Sequence, residues 1–129
     1  MAELIESGVG LLSTTTIALD GNADTVIYTV PTAKVCVLSH AILVAGDDAG
    51  ATTTIAIGQA GAETDFLAAN ILSNLDAALD AVVLRPIPNT TPLKSKAYAA
   101  ATIIEAQVGS QSGSATDSTL LLFGTLYDA

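Results

Sequence analysis

Several residue types that commonly build active or binding sites are scarce in this chain. It has one cysteine, one histidine and no tryptophan, and aromatic residues make up 4% of its 129 residues. A lone cysteine excludes an intramolecular disulfide and a cysteine-based zinc cluster. With so few aromatic side chains, the core must be built from Ala, Val, Ile and Leu, which offer few anchors for a small ligand.

Basic residues are also few, with 4 Lys and Arg against 13 Asp and Glu, for a formal net charge of −9. Such a surface does not neutralise phosphates, so we expect no nucleic-acid partner. The sequence contains no run of about 18 consecutive apolar residues. Its first six residues carry two acids, Glu3 and Glu6, where a secretory signal needs Lys or Arg. We therefore predict a soluble chain with no membrane partner and no secretory signal.

The residues that could carry chemistry do not form a recognisable motif. His40 stands in the middle of an apolar run, and the single histidine rules out an HExxH zinc motif. Asp20, Asn22 and Asp24 match the first ligands of a calcium loop, but Pro31 stands where its bidentate Glu is required. We predict a protein that is not an enzyme, with no catalytic residue, no metal and no cofactor.

Short β-type runs separated by turn residues dominate the chain from Thr14 onward, a pattern typical of a sandwich or barrel. The runs are 14–19, 25–30, 34–45, 52–58, 81–85, 97–108 and 118–127. We predict an all-β fold, an antiparallel jelly-roll-like β-sandwich over 14–129, preceded by an N-terminal arm over 1–13. Whether the loop acids Asp47 and Asp48 are simply solvated or bind a cation is left open by the sequence.

Two segments depart from the β pattern. Large aliphatic residues recur at helical spacing in 64–79, which predicts one short helix: Leu67, Ile71, Leu72, Leu75 and Leu79. The segment 85–92 holds three of the four prolines, so we expect an extended crossing segment there and not a ladder strand.

Two of the predicted strands, 34–45 and 118–127, are apolar on both faces. Strict alternation in 34–45 places Leu38, His40 and Ile42 on one face, with Val35 and Leu43 among the residues opposite. In an antiparallel sandwich only one face of each sheet meets the core, so an ordinary strand alternates apolar with polar residues. A second apolar face needs cover, either from the chain's own helix and arm or from partner subunits. Two long strands exceed what one short helix can shield, so we expect a homo-oligomer, most simply a trimer.

The candidate interface combines the arm with one face of each of these two strands. Its residues are Leu4, Ile5, Val9, Leu11, Leu12, Leu38, His40, Ile42, Leu121, Phe123 and Tyr127.

The opening of the β region also resembles a known group of proteins. The segment 14–19 reads TTTIAL, and 28–34 reads YTVPTAK. A strand-turn-strand of the form YTVP-x-(A/G)-K recurs in small jelly-roll virion proteins of tailed bacteriophages, which this chain resembles over about 14–60.

The resemblance implies a capsid decoration or cement protein, with the major capsid protein as its partner. Such a protein would be made in the host cytoplasm and would bind the capsid exterior as a trimer, stabilising contacts between capsomers. One alternative is a tail or baseplate adaptor or a receptor-binding jelly-roll module, and another is a bacterial carbohydrate- or protein-binding β-sandwich unrelated to viruses. The scarcity of aromatic residues for sugar contact favours the first reading.

Overall fold

A computed structural model describes residues 9–86 and 96–129, and these residues form nine β-strands and no helix. The strands are β1 Gly10–Ile17, β2 Ala23–Thr29, β3 Lys34–Val44, β4 Thr54–Gln59, β5 Ala62–Ile71, β6 Ala81–Leu84, β7 Ala97–Tyr98, β8 Ile103–Gly109 and β9 Ser118–Asp128. The all-β prediction is confirmed. None of the described residues forms a helix that could span a membrane.

The strands form two antiparallel sheets. Sheet A has the order β1-β9-β3-β6, with β7 also paired to β3, and sheet B has the order β2-β8-β4-β5. The pairs are nested along the chain: β1 with β9, β2 with β8, β3 with β6, and β4 with β5. This is the strand order of a jelly roll and confirms the predicted sandwich.

The core lies between the two sheets and is built from their inward-facing aliphatic side chains. Leu43 and Leu122 of sheet A and Ile57 and Ile104 of sheet B are completely buried. Cys36 lies in the same cluster, and burial raises the pKa of its thiol to about 11. A thiol that remains protonated and out of reach of solvent acts as a small apolar core residue.

The helix predicted over 64–79 is wrong, because β5 occupies the first half of that segment and turns follow it. The ladder between β4 and β5 is irregular. Ile57 pairs with Leu67 and Gln59 pairs with Ala62, so two steps along β4 correspond to five steps along β5. Extra residues on one strand break the alternation of buried side chains. The resulting spacing imitates that of a helix.

Two other predicted boundaries also shift. β1 begins at Gly10, so the last residues of the predicted arm, 10–13, belong to sheet A. The predicted strand 97–108 is divided into β7 and β8 by a turn in which Ala101 has φ +69°. Residues 1–8 and most of the proline-rich segment, 87–92, lie outside the described residues.

A buried polar network links the two sheets. The hydroxyl of Tyr98 on β7 donates a 2.6 Å hydrogen bond to Oδ1 of Asp65 on β5. The same oxygen accepts the backbone N–H of Gln59, and Lys96 Nζ lies 3.2 Å from Oδ2. Burial, together with the Asp65 carboxylate, raises the pKa of Tyr98 far above its ordinary value.

We expect Tyr98→Phe to lower the free energy of unfolding by about 1.5–3 kcal/mol, because it removes a hydrogen bond to a charged acceptor in the core. Urea denaturation measures this loss. Tyr127→Phe is the control, since Tyr127 is 51% exposed and should change stability by less than about 0.5 kcal/mol. Equal effects of the two substitutions would argue that the Asp65 network adds nothing to stability.

Candidate interaction surface

A β-bulge in β3 determines which of its side chains face outward. Leu38 pairs with Gly124 on β9 and the next pair joins His40 to Phe123, so Ser39 is an extra residue on β3. A one-residue bulge moves every later side chain to the opposite face from the one strict alternation predicts. The predicted placement of Leu38, His40 and Ile42 on one face is therefore wrong.

Burial follows the bulged register. Leu38 lies on the inner face and is 1% exposed, so it is not available to an interface. Beyond the bulge, Ala41 and Leu43 are the buried residues, and His40 and Ile42 point away from the core. β9 alternates without a shift beside β3 in this region, as predicted, with Leu121 outward.

The side chains of β1, β9, β3 and β6 that point away from the core form a surface that we call the outer face of sheet A. Its large side chains are Leu11, Val35, Val37, His40, Ile42, Val44, Val83, Leu121, Phe123 and Tyr127. One row across the four strands, set by the pairing register, reads Thr14, Leu121, Ile42, Val83. No charged side chain stands in this row.

His40 lies near the centre of this surface. Its ring stacks on Phe123 with centroids 4.7 Å apart and planes 7° from parallel. Ser39 Oγ lies 3.0 Å from its Nδ1. Burial and the charge of Arg85, the residue after β6, lower the pKa of His40 below its ordinary value. The lowered pKa favours the neutral imidazole, and among residues 9–86 and 96–129 the charged group that acts on it is Arg85, at the margin of the outer face of sheet A.

The outward side of sheet B has the opposite character. The carboxylates of Asp24, Glu63 and Glu105 have oxygens within 4.8 Å of one another, and Gln107 Nε2 donates to Glu63 Oε1 at 3.4 Å. The pKa of Glu105 is raised above its ordinary value. Burial is the largest cause, followed by the hydrogen bond to Glu63 and the negative charges of Glu63 and Asp24. One sheet thus presents apolar groups to its surroundings and the other presents acids.

We expect Glu105→Gln to raise the melting temperature at pH 7.5. The pKa of Glu105 is higher in the folded chain than in the unfolded chain, so the protonated carboxyl favours folding. This stabilisation is present below the ordinary pKa of Glu and is lost as the pH rises through the raised pKa of the folded chain. The gain should vanish at pH 4, where the native carboxyl is protonated. Thermal melts at both pH values test this, with the exposed Asp76→Asn as control. A lower melting temperature at pH 7.5 would contradict the repulsion we describe.

Two groups of residues considered in the sequence as cation ligands make hydrogen bonds within the chain or lie beside other acids. Asn22, the middle residue of the calcium-loop pattern, accepts the backbone N–H of Gln111, and Asp24 lies in β2 beside the acids of sheet B. Asp48 accepts the N–H of Gly50 through its carboxylate. The association of Glu105 with Glu63 leaves no trace in the sequence, because the residues lie on different strands.

The structure gathers most of the predicted interface residues on one surface. The outer face of sheet A includes Leu11, His40, Ile42, Leu121, Phe123 and Tyr127. Leu12 packs against the core, and Val9, before β1, is 57% exposed. Leu4 and Ile5 lie outside the described residues. Sequence reasoning missed Val83, which is 51% exposed, because β6 has only four residues and too short a pattern to read.

Comparison with known proteins gives a likeness of fold. No protein-family model matches the chain, and no curated protein matches it significantly. Among solved structures, a chain of the cyanophage Pam1 capsid asymmetric unit is similar, with a TM-score of 0.56 and 17% sequence identity. The match covers 95% of this chain and 86% of that chain. This chain therefore shares its fold, over nearly its whole length, with a component of a phage capsid.

Proposed function

We propose that this chain is a structural virion protein, a decoration or cement protein that binds the outer surface of a capsid. The outer face of sheet A carries the proposal. In a chain of net charge −9, this surface has exposed large apolar side chains such as Leu11 and Val83 and no acid in its rows. Extended apolar surfaces on soluble proteins usually mark sites of interaction with other proteins.

The fold supports the same assignment. The Pam1 chain with a similar fold comes from a capsid asymmetric unit, and the YTVPTAK segment resembles a turn of phage jelly-roll virion proteins. A shared fold does not determine function. The proposal that this chain binds a capsid therefore rests on the chemistry of the outer face of sheet A. An apolar surface with Arg85 at its margin suits contact with protein and not with nucleic acid.

The proposed mechanism is physical. Copies of the chain associate, and the sequence predicts a trimer. The assembly binds the major capsid protein and so bridges neighbouring capsomers. Each Å² of apolar surface removed from water contributes about 25 cal/mol before the cost of association is subtracted. Many copies on one lattice then act together. The acidic side of sheet B faces water and keeps the chain soluble after synthesis in the host cytoplasm.

Immunogold labelling of purified virions that carry the chain, with antibodies raised against the recombinant protein, tests the proposal. We expect label over the surface of the head and a loss of capsid stability to heat when the protein is absent. Label confined to the tail would favour the adaptor or receptor-binding alternative. Purified particles without label would overturn a virion role.

A further inference from the structure

We propose that the free edge of β6 and the cavity beside it bind an extended segment of the major capsid protein, in which an aliphatic side chain lies next to an acidic one. The capsid as the source of this segment rests on the proposed function. The site itself is the edge of sheet A beside its outer face, and it selects the conformation and the chemistry of the segment.

β6 has backbone groups that are free to pair with another strand. It is the last strand in the order of sheet A and pairs only with β3 within the described part of the chain. The Ala45 N–H donates to the Asp80 carbonyl at 2.8 Å, and hydrogen-bonded pairs alternate with non-hydrogen-bonded pairs along an antiparallel ladder. Ala81 therefore belongs to a non-hydrogen-bonded pair, as does Val83, so the N–H and C=O groups of both point away from β3. An open row of this kind takes an extended peptide backbone as an added strand.

A cavity of about 120 Å³ lies against the same edge. Its lining includes Val82 and Leu84 of β6 and, from the segment after β5, Leu72 and Leu75. The three leucines are at most 4% exposed, so their side chains are fixed by the core. An apolar cavity of about 150 Å³ is large enough to hold benzene, so this one has room for one aliphatic side chain of a bound segment.

The polar part of the lining favours an acid beside that aliphatic residue. Asn70, Asn74 and Arg85 bring amide and guanidinium donors to the cavity. The ion pairs among the described residues involve Lys34 and Lys96, and neither pair includes Arg85. Arg85 is also exposed, in a chain of net charge −9. Its guanidinium is therefore open to a carboxylate from outside, which it can bind through two parallel hydrogen bonds.

Photo-crosslinking on capsids tests the site. The full chain, with p-benzoylphenylalanine in place of Ala81, is bound to purified capsids that lack the chain and is then irradiated. We expect mass spectrometry to find crosslinks to one segment of the major capsid protein, with an aliphatic residue beside an Asp or Glu. The control carries the same group in place of Val26, which is 52% exposed on the edge strand of sheet B, and should give no such crosslink.

Two pairs of variants test the backbone and the charge separately. Ala81→Pro removes an N–H that points away from β3, at the first residue of an edge strand, where proline is tolerated. It should weaken capsid binding about two- to tenfold relative to Ala81→Ser, which keeps the N–H. Arg85→Glu should weaken binding by about tenfold or more, since it places like charges together. Arg85→Lys keeps the charge but loses the paired hydrogen bonds, so its affinity should be intermediate.

Failure of the site can be told apart from failure of the proposed function. A native chain that does not bind capsids overturns both. If the native chain binds, then the absence of crosslinks from position 81, crosslinks only to a second copy of the chain, or a capsid segment without the acid overturns the site alone. Native affinity in both Arg85→Glu and Ala81→Pro would do the same. Thermal melts show whether each variant is folded, and if Ala81→Pro is not, the Arg85 pair and the crosslinks decide the question.

Discussion

Val83→Lys should dissociate the protein, whereas Val26→Lys should leave its assembly unchanged. The two valines form a matched pair: Val83 is 51% exposed and Val26 is 52% exposed. Each lies on an edge strand, β6 of sheet A and β2 of sheet B. They differ in the surface they occupy, since Val83 pairs with Ile42 on the outer face of sheet A and Val26 pairs with Glu105 beside the acids of sheet B.

The expected size of the effect comes from the cost of an unpaired buried charge. Leaving one charge without a partner in a contact costs about 3–5 kcal/mol, which corresponds to a loss of roughly 100-fold or more in affinity. Sedimentation at micromolar concentration gives the assembly state, and thermal melts confirm folding. Dissociation by Val26→Lys, or association that survives Val83→Lys, would move the interface away from the outer face of sheet A.

Leu38→Ala should cause one of the largest losses of stability of any single truncation in β3. Leu38 is 1% exposed in the core, and replacing such a leucine with alanine lowers the free energy of unfolding by about 2–5 kcal/mol. Ile42, four residues away on the same strand, points outward because of the bulge at Ser39. Ile42→Ala should cost much less stability and should weaken association.

Urea denaturation and sedimentation of both variants provide the test. A strand with unbroken alternation would place Leu38 and Ile42 on the same face, and the two substitutions would then act alike. If both variants lose stability equally and neither loses affinity, the bulge and the outward orientation of Ile42 are contradicted.

The bulge shows why the fold was easier to predict than the surface. Turn residues such as those in 20–24 separate strands wherever they occur, so the sandwich could be read from their spacing. An extra residue inside a strand has no such marker. Because Leu38, Ala41 and Ile42 are all apolar, hydrophobicity could not indicate which of them faces the core.

The segment 64–79 failed for a related reason. Its leucines recur at intervals of three to five, and its alanines have high helix propensity, so every local signal favoured a helix. The structure buries Leu67 and Leu75 and leaves Leu79 83% exposed, which is not the pattern of a single helical stripe. β5 pairs with β4, the strand just before it in the chain, and this pairing decided the conformation. The irregular register of the pairing leaves no marker in a local hydrophobic pattern.

The pairing of β1 with β9 determines when the outer face of sheet A can form during synthesis. β1 begins at Gly10 and β9 ends at Asp128, so the edge strand of the sheet gains its neighbour only after almost the whole described chain has left the ribosome. Folds built from such distant pairings fold slowly, in about milliseconds to seconds. A nascent copy therefore has no completed outer face of sheet A to offer until β9 has been synthesised.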